Sequence, residues 1–129
     1  MSAINVLDAS AVLALLLEEP GAERLTDEIL ERAVASTVNL AEVQTKLVRS
    51  GYDPDEAWED ALEQVTAAER FTSEQSKIAG TLIKTTSSFG LSLGDRSCLA
   101  LAIVLKASVY TTQQSWKNLR LGVPIHVIR

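Results

Sequence analysis

The stretch 4–10, which reads Ile-Asn-Val-Leu-Asp-Ala-Ser, constrains the fold more than any other part of the chain. Its apolar, largely β-branched run is typical of a strand buried in a parallel sheet, and it ends at Asp8. Residues 11–17 are apolar on every side, which predicts a buried helix that begins near Ser10, whose hydroxyl favours the N-cap. The succession predicts the first half of a βαβ unit. Asp8 would then lie at the carboxyl end of the strand, where open α/β sheets bind ligands.

The rest of the chain alternates between patterns of strands and helices. Further strands are predicted at 33–36, 69–71, 108–111 and 125–128. Helices are predicted at 22–32, 38–50, 73–86 and 96–106, with one more after Asp53 and Pro54, a turn at 115–119, and N-caps at Thr37, Asp53, and Asp95 or Ser92. This alternation predicts an α/β sandwich around a mostly parallel sheet. The length fits one domain, so we expect residues 1–129 to form a single domain.

The acidic balance of the chain limits how it could bind nucleic acid. The formal net charge is −5, which is not typical of a protein that holds RNA or DNA by overall attraction. A phosphate-bearing substrate would have to be bound locally, by a few basic side chains or a cation. The longest apolar run is far shorter than the roughly 20 residues of a membrane span, and no signal peptide is recognisable. We therefore expect a cytoplasmic protein without a membrane partner.

Several kinds of catalytic site are excluded by what the chain lacks. Cys98 is the only cysteine, so it rules out a zinc–thiolate cluster and is expected to be a small buried hydrophobic residue. His126 is the only histidine, and no G-x-S-x-G elbow or glycine-rich phosphate loop accompanies it. A phosphoacceptor receiver domain would need paired acids after the first strand and an aspartate within 34–37, and both are missing. Of the catalytic sites considered, only one built from carboxylates remains possible.

Three acids stand where acids are locally unusual. Asp8 ends a buried strand, Glu42 borders the apolar stripe of its helix, and Asp95 precedes a strongly apolar helix. Each has an ordinary explanation, because the aspartates could be N-caps and Glu42 could be solvated. If they converged, two carboxylates about 5 Å apart would repel by roughly 3 kcal/mol at an effective dielectric constant near 20. A raised pKa or a hard divalent cation would have to offset this, and oxygen-only ligands favour Mg²⁺ or Mn²⁺.

Four ordered segments resemble the PIN-domain ribonucleases, specifically the toxins of VapBC toxin–antitoxin pairs. They are NVLDASAVLALL, TVNLAEVQTKL, LSLGDRSCLALA and VYTTQQSW. The resemblance covers essentially the whole chain. It implies a three-layer α/β/α sandwich around a short, mostly parallel sheet, Mg²⁺ or Mn²⁺ held by carboxylates, and endonucleolytic cleavage of RNA, with transfer RNA among the candidate substrates. It also implies a homodimer and a small VapB-like antitoxin as partner.

The resemblance also assigns site residues. Asp8, Glu42 and Asp95 match the family's first three acids and would be catalytic, with Asp8 and Asp95 as metal ligands. Ser10 matches a common hydroxyl that orients the metal shell. The family's usual fourth acid is replaced by Gln113, whose amide carries no charge. This departure leaves three alternatives: a one-metal enzyme, an enzyme whose second ion arrives with the substrate, and an inactive PIN domain that only binds RNA or a partner.

Basic residues follow Glu42, Asp95 and Gln113 and could hold an RNA backbone beside the acids. Single residues of this kind are more often ordinary solvated charges, since charged residues cover most protein surfaces. The five candidates for RNA contact are Lys46, Arg49, Arg96, Lys117 and Arg120.

Overall fold

Five parallel strands form the central sheet in the computed structural model, which describes residues 3–129. The strands are β1 (Asn5–Leu7), β2 (Ala33–Ser36), β3 (Ala67–Glu69), β4 (Ser108–Thr111) and β5 (Ile125–Val127), in the order β3-β2-β1-β4-β5. Every ladder between neighbouring strands is parallel. β1 is central and is paired with β2 on one side and β4 on the other. The mostly parallel sheet expected from the sequence is therefore confirmed.

Helices cover both faces of this sheet. They are α1 (Ala9–Leu17), α2 (Asp27–Leu30), α3 (Thr37–Arg49), α4 (Pro54–Glu63), α5 (Ser73–Thr81), α6 (Ile83–Thr86) and α7 (Leu93–Leu105), with 3-10 turns at Ala22–Arg24, Ser87–Phe89 and Gln114–Asn118. One buried apolar cluster joins the sheet to α1, α3 and α4, and a second joins it to α7 and Trp116. The three-layer α/β/α sandwich is thus confirmed. Among residues 3–129, no helix has both the length and the apolar character that crossing a bilayer requires.

Several helix ends differ from the sequence prediction because side chains cap the backbone at other positions. α1 begins at Ala9 and its N-cap is Asp8, not Ser10. Ser36 rather than Thr37 caps α3, whereas Asp53 caps α4 as predicted. α7 begins at Leu93, and its cap is Ser92, one of the two residues considered. Asp8 lies two residues before Ser10 and Ser36 lies one residue before Thr37, so α1 and α3 both begin earlier than expected.

Two predicted helices are interrupted. The segment 22–32 is a 3-10 turn followed by α2, because Thr26 starts a new helix as its N-cap. The segment 73–86 breaks at Leu82 into α5 and α6. Thr81 and Thr86 each donate a hydroxyl hydrogen bond to the carbonyl four residues earlier, an arrangement that bends helices. β3 also ends at Glu69, where the edge strand was predicted to begin.

Candidate functional site

The site lies at the carboxyl ends of β1 and β4, where the strand order changes direction. β2 and β3 extend the sheet to one side of β1, and β4 and β5 extend it to the other. Ligands bind at such switch points because the connections on the two sides lead away from each other. Leu7 is in register with Tyr110, so the next residues along the chain, Asp8 after β1 and Thr111 at the end of β4, are neighbours.

Asp8 is held by a hydrogen-bond donor on each side of its carboxylate. Its side chain is only 2% exposed. Oδ1 accepts from the Ser10 hydroxyl at 2.6 Å and from the backbone N–H of Ala11 at 2.9 Å. Oδ2 accepts from the Thr111 hydroxyl at 2.6 Å and from the Gln113 amide at 3.5 Å. Asp8 therefore caps α1 with one oxygen and faces β4 and its following loop with the other.

The hydroxyls of Ser10 and Thr111 also fix the loop that follows β4. Ser10 Oγ accepts from the backbone N–H of Thr112 at 3.0 Å, and Thr111 Oγ1 accepts from that of Gln113 at 3.1 Å. Each hydroxyl thus donates to Asp8 and accepts from the loop. Sequence reasoning found Ser10 but missed Thr111, a fully buried polar residue at the end of its strand.

Asp95 approaches the same place from α7. It forms a capping box with Ser92, in which Asp95 Oδ2 accepts from the backbone N–H of Ser92 at 3.0 Å. Asp95 Oδ1 accepts from the Gln113 amide at 3.1 Å. The Gln113 amide nitrogen therefore donates to Asp8 and to Asp95, and it separates the two carboxylates.

Glu42 reaches the site from α3 and lies against the first turn of α7. Its Oε1 accepts from the Asn39 amide at 2.8 Å. The same nitrogen of Asn39 donates to the Gly94 carbonyl at 3.0 Å. Asn39 and Gly94 are contacts of Glu42 that the sequence analysis did not single out.

The three acids line one cleft of about 490 Å³, together with Ser10, Gln113 and an apolar wall formed by α1 and α3. Lys46 is the one member of the predicted basic set on this cleft among residues 3–129. Arg96 instead donates to the Ala79 carbonyl at 2.8 Å, and Arg120 donates to the Lys117 and Leu119 carbonyls. Arg129, which was not predicted, also lines the cleft and forms an ion pair of 3.5 Å with Glu19.

The electrostatics of the site reflect burial next to clustered acids. Burial raises the pKa of Asp8 above its ordinary value of 3.8, and the donors Ser10, Thr111, Ala11 and Gln113 partly oppose that rise. Burial also raises the pKa of the Cys98 thiol, and the charges of Asp8, Asp95 and Glu42 raise it further. Cys98 is fully buried, as predicted.

The donor set fits a hard cation. The cleft offers carboxylate, hydroxyl and amide oxygens, the ligand types that Mg²⁺ and Mn²⁺ accept, and its lining contains neither histidine nor cysteine. His126 lies on the edge strand β5, stacked on Tyr110. Within residues 3–129, however, no three His, Cys, Asp or Glu side chains already converge as a metal-binding group. Gln113 stands between Asp8 and Asp95, where its amide hydrogens offset part of their repulsion.

Comparisons with known proteins agree with this fold. Curated protein sequences give no significant match. VapBC2 of Rickettsia felis, solved bound to a promoter DNA fragment, has a TM-score of 0.74 at 17% identity, covering 95% of this chain and 97% of that one. VapC20 of Mycobacterium tuberculosis, a sarcin-ricin loop cleaving toxin, has a TM-score of 0.73 at 18% identity, covering 93% and 98%. FitAcB of Neisseria gonorrhoeae has a TM-score of 0.68 at 17% identity, covering 95% and 96%.

The structural matches establish a shared fold, and the sequence match is more specific. The model of the PIN domain family matches residues 6–120, a segment that contains Asp8, Glu42, Asp95 and Gln113. The chain therefore belongs to the PIN domain family.

Proposed function

We propose that the protein is an Mg²⁺- or Mn²⁺-dependent endoribonuclease that acts as the toxin of a type II toxin–antitoxin pair. One observation supports this most strongly: Asp8 and Asp95, from different elements, direct an oxygen at the same Gln113 amide, in a cleft that Glu42 also lines. Membership of the PIN domain family and the fold shared with VapC20 add to that support.

Asp8 and Asp95 would hold the cation, and the Gln113 amide would turn its oxygen toward the ion. A bound divalent cation supplies Lewis acidity that activates water and offsets negative charge on a phosphodiester. Ser10 would keep Asp8 oriented, because its hydroxyl donates to Oδ1 at 2.6 Å. Glu42 would act as the third catalytic carboxylate beside the scissile phosphate.

RNA binding would depend on local cations because the chain as a whole is acidic. Lys46 and Arg129 line the cleft and are our first candidates for phosphate contacts. Arg49, Lys117 and Arg120 are exposed and could extend the path of the RNA. Arg96 is the weakest candidate, since its guanidinium already donates to a backbone carbonyl.

A protein partner would have an apolar surface available next to the cleft. Leu17 at the end of α1 is 44% exposed, and Val48 near the end of α3 is 37% exposed. The Rickettsia felis relative is a VapBC complex, and we propose that a VapB-like antitoxin covers this surface here. We also propose a homodimer, which sedimentation velocity on the purified protein would test.

A second candidate function is an RNA- or partner-binding module without catalysis. Gln113 favours it, because the amide fills the space between Asp8 and Asp95 and adds no charge to attract a cation. The first candidate predicts RNA cleavage and the second predicts none, so a cleavage assay separates them.

The test is cleavage of a mixed pool of folded RNAs, including transfer RNAs, by the purified protein with Mg²⁺, Mn²⁺ or EDTA. We expect cleavage with either metal and none with EDTA. Substitution of a residue that only hydrogen-bonds to a metal ligand typically lowers activity by about 10–100-fold. Asp8→Asn or Asp95→Asn changes a proposed ligand itself, so we expect cleavage to fall at least about a hundredfold. Glu59→Gln, which neutralises an exposed acid on α4, is the matched control and should cleave normally.

Two other results of this assay would argue against the proposed enzyme. Cutting that persists unchanged in Asp8→Asn would mean a contaminating nuclease. RNA binding without cutting, in both metals, would favour the binding module.

A further inference from the structure

The position of Glu42 depends on one buried amide. Asn39 lies one turn before Glu42 on α3 and is 1% exposed. Its nitrogen donates to Glu42 Oε1 at 2.8 Å and to the Gly94 carbonyl at 3.0 Å. A single side-chain nitrogen therefore connects the Glu42 carboxylate on α3 to the backbone of α7.

Gly94 provides the space in which that carboxylate lies. A Cβ atom built on Gly94 would overlap both oxygens and the carboxyl carbon of Glu42. The close approach therefore requires glycine, at a helical position where its backbone freedom is otherwise unfavourable. It also brings a negative charge to the first turn of α7, where the helix dipole stabilises it.

The buried Asn39 amide leaves one of its polar atoms unsatisfied, which an apolar side chain at this position would not. Asn39 Oδ1 is buried and has no hydrogen-bond partner among the described residues. Such an unsatisfied buried oxygen destabilises the folded state, and a leucine of similar volume would avoid this penalty.

We infer that Asn39 and Gly94 are positioning residues for Glu42: the amide and the missing side chain together hold its carboxylate beside Asp95 at the start of α7. The inference rests on the proposed function, in which Glu42 takes part in RNA cleavage. It adds two residues that act through Glu42 rather than on the substrate.

Gly94→Ala is the most informative variant, because it should displace Glu42 without unfolding the protein. Alanine is favoured over glycine in helices, and the end of a glutamate side chain can swing away from the new methyl group. We expect a melting temperature equal to or above that of the wild type and a cleavage rate about tenfold lower. Gly80→Ala is the matched control, since a Cβ on that helical glycine of α5 has no atom within 4 Å.

A readout that needs neither metal nor activity is the side-chain N–H₂ resonance pair of Asn39 in the metal-free protein. We expect Gly94→Ala to shift these resonances in the same direction as Glu42→Ala, because both remove the carboxylate from the amide. Gly80→Ala should leave them in place. Asn39→Leu removes the amide and should reduce cleavage as Gly94→Ala does.

A double-mutant cycle shows whether the two residues act through Glu42. In a Glu42→Ala background, neither Gly94→Ala nor Asn39→Leu should reduce cleavage further. Unchanged Asn39 resonances in Gly94→Ala, or an undiminished rate effect in the Glu42→Ala background, would overturn the inference. A wild-type protein that does not cleave RNA would overturn the proposed function, while the resonances would still decide whether Asn39 and Gly94 position Glu42.

Discussion

Asp8 and Asp95 each divide their two carboxylate oxygens between a helix cap and the cleft. Asp8 Oδ1 caps α1, and Asp95 Oδ2 closes the capping box of α7, while the other oxygen of each accepts from Gln113. Each aspartate therefore caps a helix and also presents an oxygen to the proposed metal site. Because the caps orient the carboxylates, the start of each helix sets the geometry of the proposed metal site.

Gln113 donates its amide to both Asp8 and Asp95, and this leads to a prediction. Gln113→Asp removes the amide donor shared by Asp8 and Asp95 and adds a negative charge. We expect the metal-free protein to lose about 2 kcal/mol of unfolding free energy, because hydrogen bonds to charged groups are worth about 1.5–3 kcal/mol. Mn²⁺ should bind about tenfold more tightly, as follows from about 1.4 kcal/mol of added attraction.

Urea denaturation in EDTA and Mn²⁺ titration by electron paramagnetic resonance measure these two effects. Gln114→Asp is the control, because it adds the same charge at the exposed neighbouring position. Unchanged Mn²⁺ affinity in Gln113→Asp would remove Gln113 from the site.

The buried charge of Asp8 makes stability depend on pH. Burial raises the pKa of Asp8 in the folded protein above its ordinary value of 3.8, so the folded state binds the proton more tightly than the unfolded state. The stability that this proton provides is complete below the unfolded pKa and is lost as pH rises through the folded pKa.

Asp8→Asn should therefore gain stability relative to the wild type as pH rises from about 4 to 7, since asparagine caps helices equally well and never ionises. Urea denaturation in EDTA at several pH values gives the difference in unfolding free energy between the two proteins. A difference that shrinks toward pH 7 would contradict a raised pKa for Asp8.

At the scale of elements, local sequence signals were enough to predict β1, β2, β4 and β5, whereas β3 lies two residues before the edge strand predicted at 69–71. β2 and β4 have the predicted bounds, and Asp53 caps α4 as predicted. The starts of α1 and α7 were less predictable, since Asp8, Ser10, Ser92 and Asp95 are all competent caps. Which of them caps a helix depends on the contacts that the others make across the site.

The contacts across the site come from distant parts of the chain, which explains what the sequence could not predict. Thr111 is 103 positions from Asp8, and Asn39 is 55 positions from the Gly94 carbonyl to which it donates. No pattern among neighbouring residues in the sequence predicts contacts over such separations. Arg129 likewise reaches the cleft only because β5 is parallel to β4 at the edge of the sheet.

At the scale of the whole molecule, the fold concentrates acids in a chain that is already acidic. The net charge is −5, and four acids, Asp8, Glu19, Glu42 and Asp95, line the cleft at the switch point of the sheet. Binding of a divalent cation would reduce that local charge and stabilise the folded state in proportion to the occupancy of the site. We propose that Asp8 and Asp95 form a binding site for such a cation.

Mn²⁺ titration of the metal-free protein, followed by electron paramagnetic resonance, measures cation binding at Asp8 and Asp95. We predict one Mn²⁺ bound per wild-type chain, at least about tenfold weaker binding in Asp8→Asn, and wild-type binding in Glu59→Gln. Equal Mn²⁺ affinity in Asp8→Asn and the wild type would mean that Asp8 does not hold the cation.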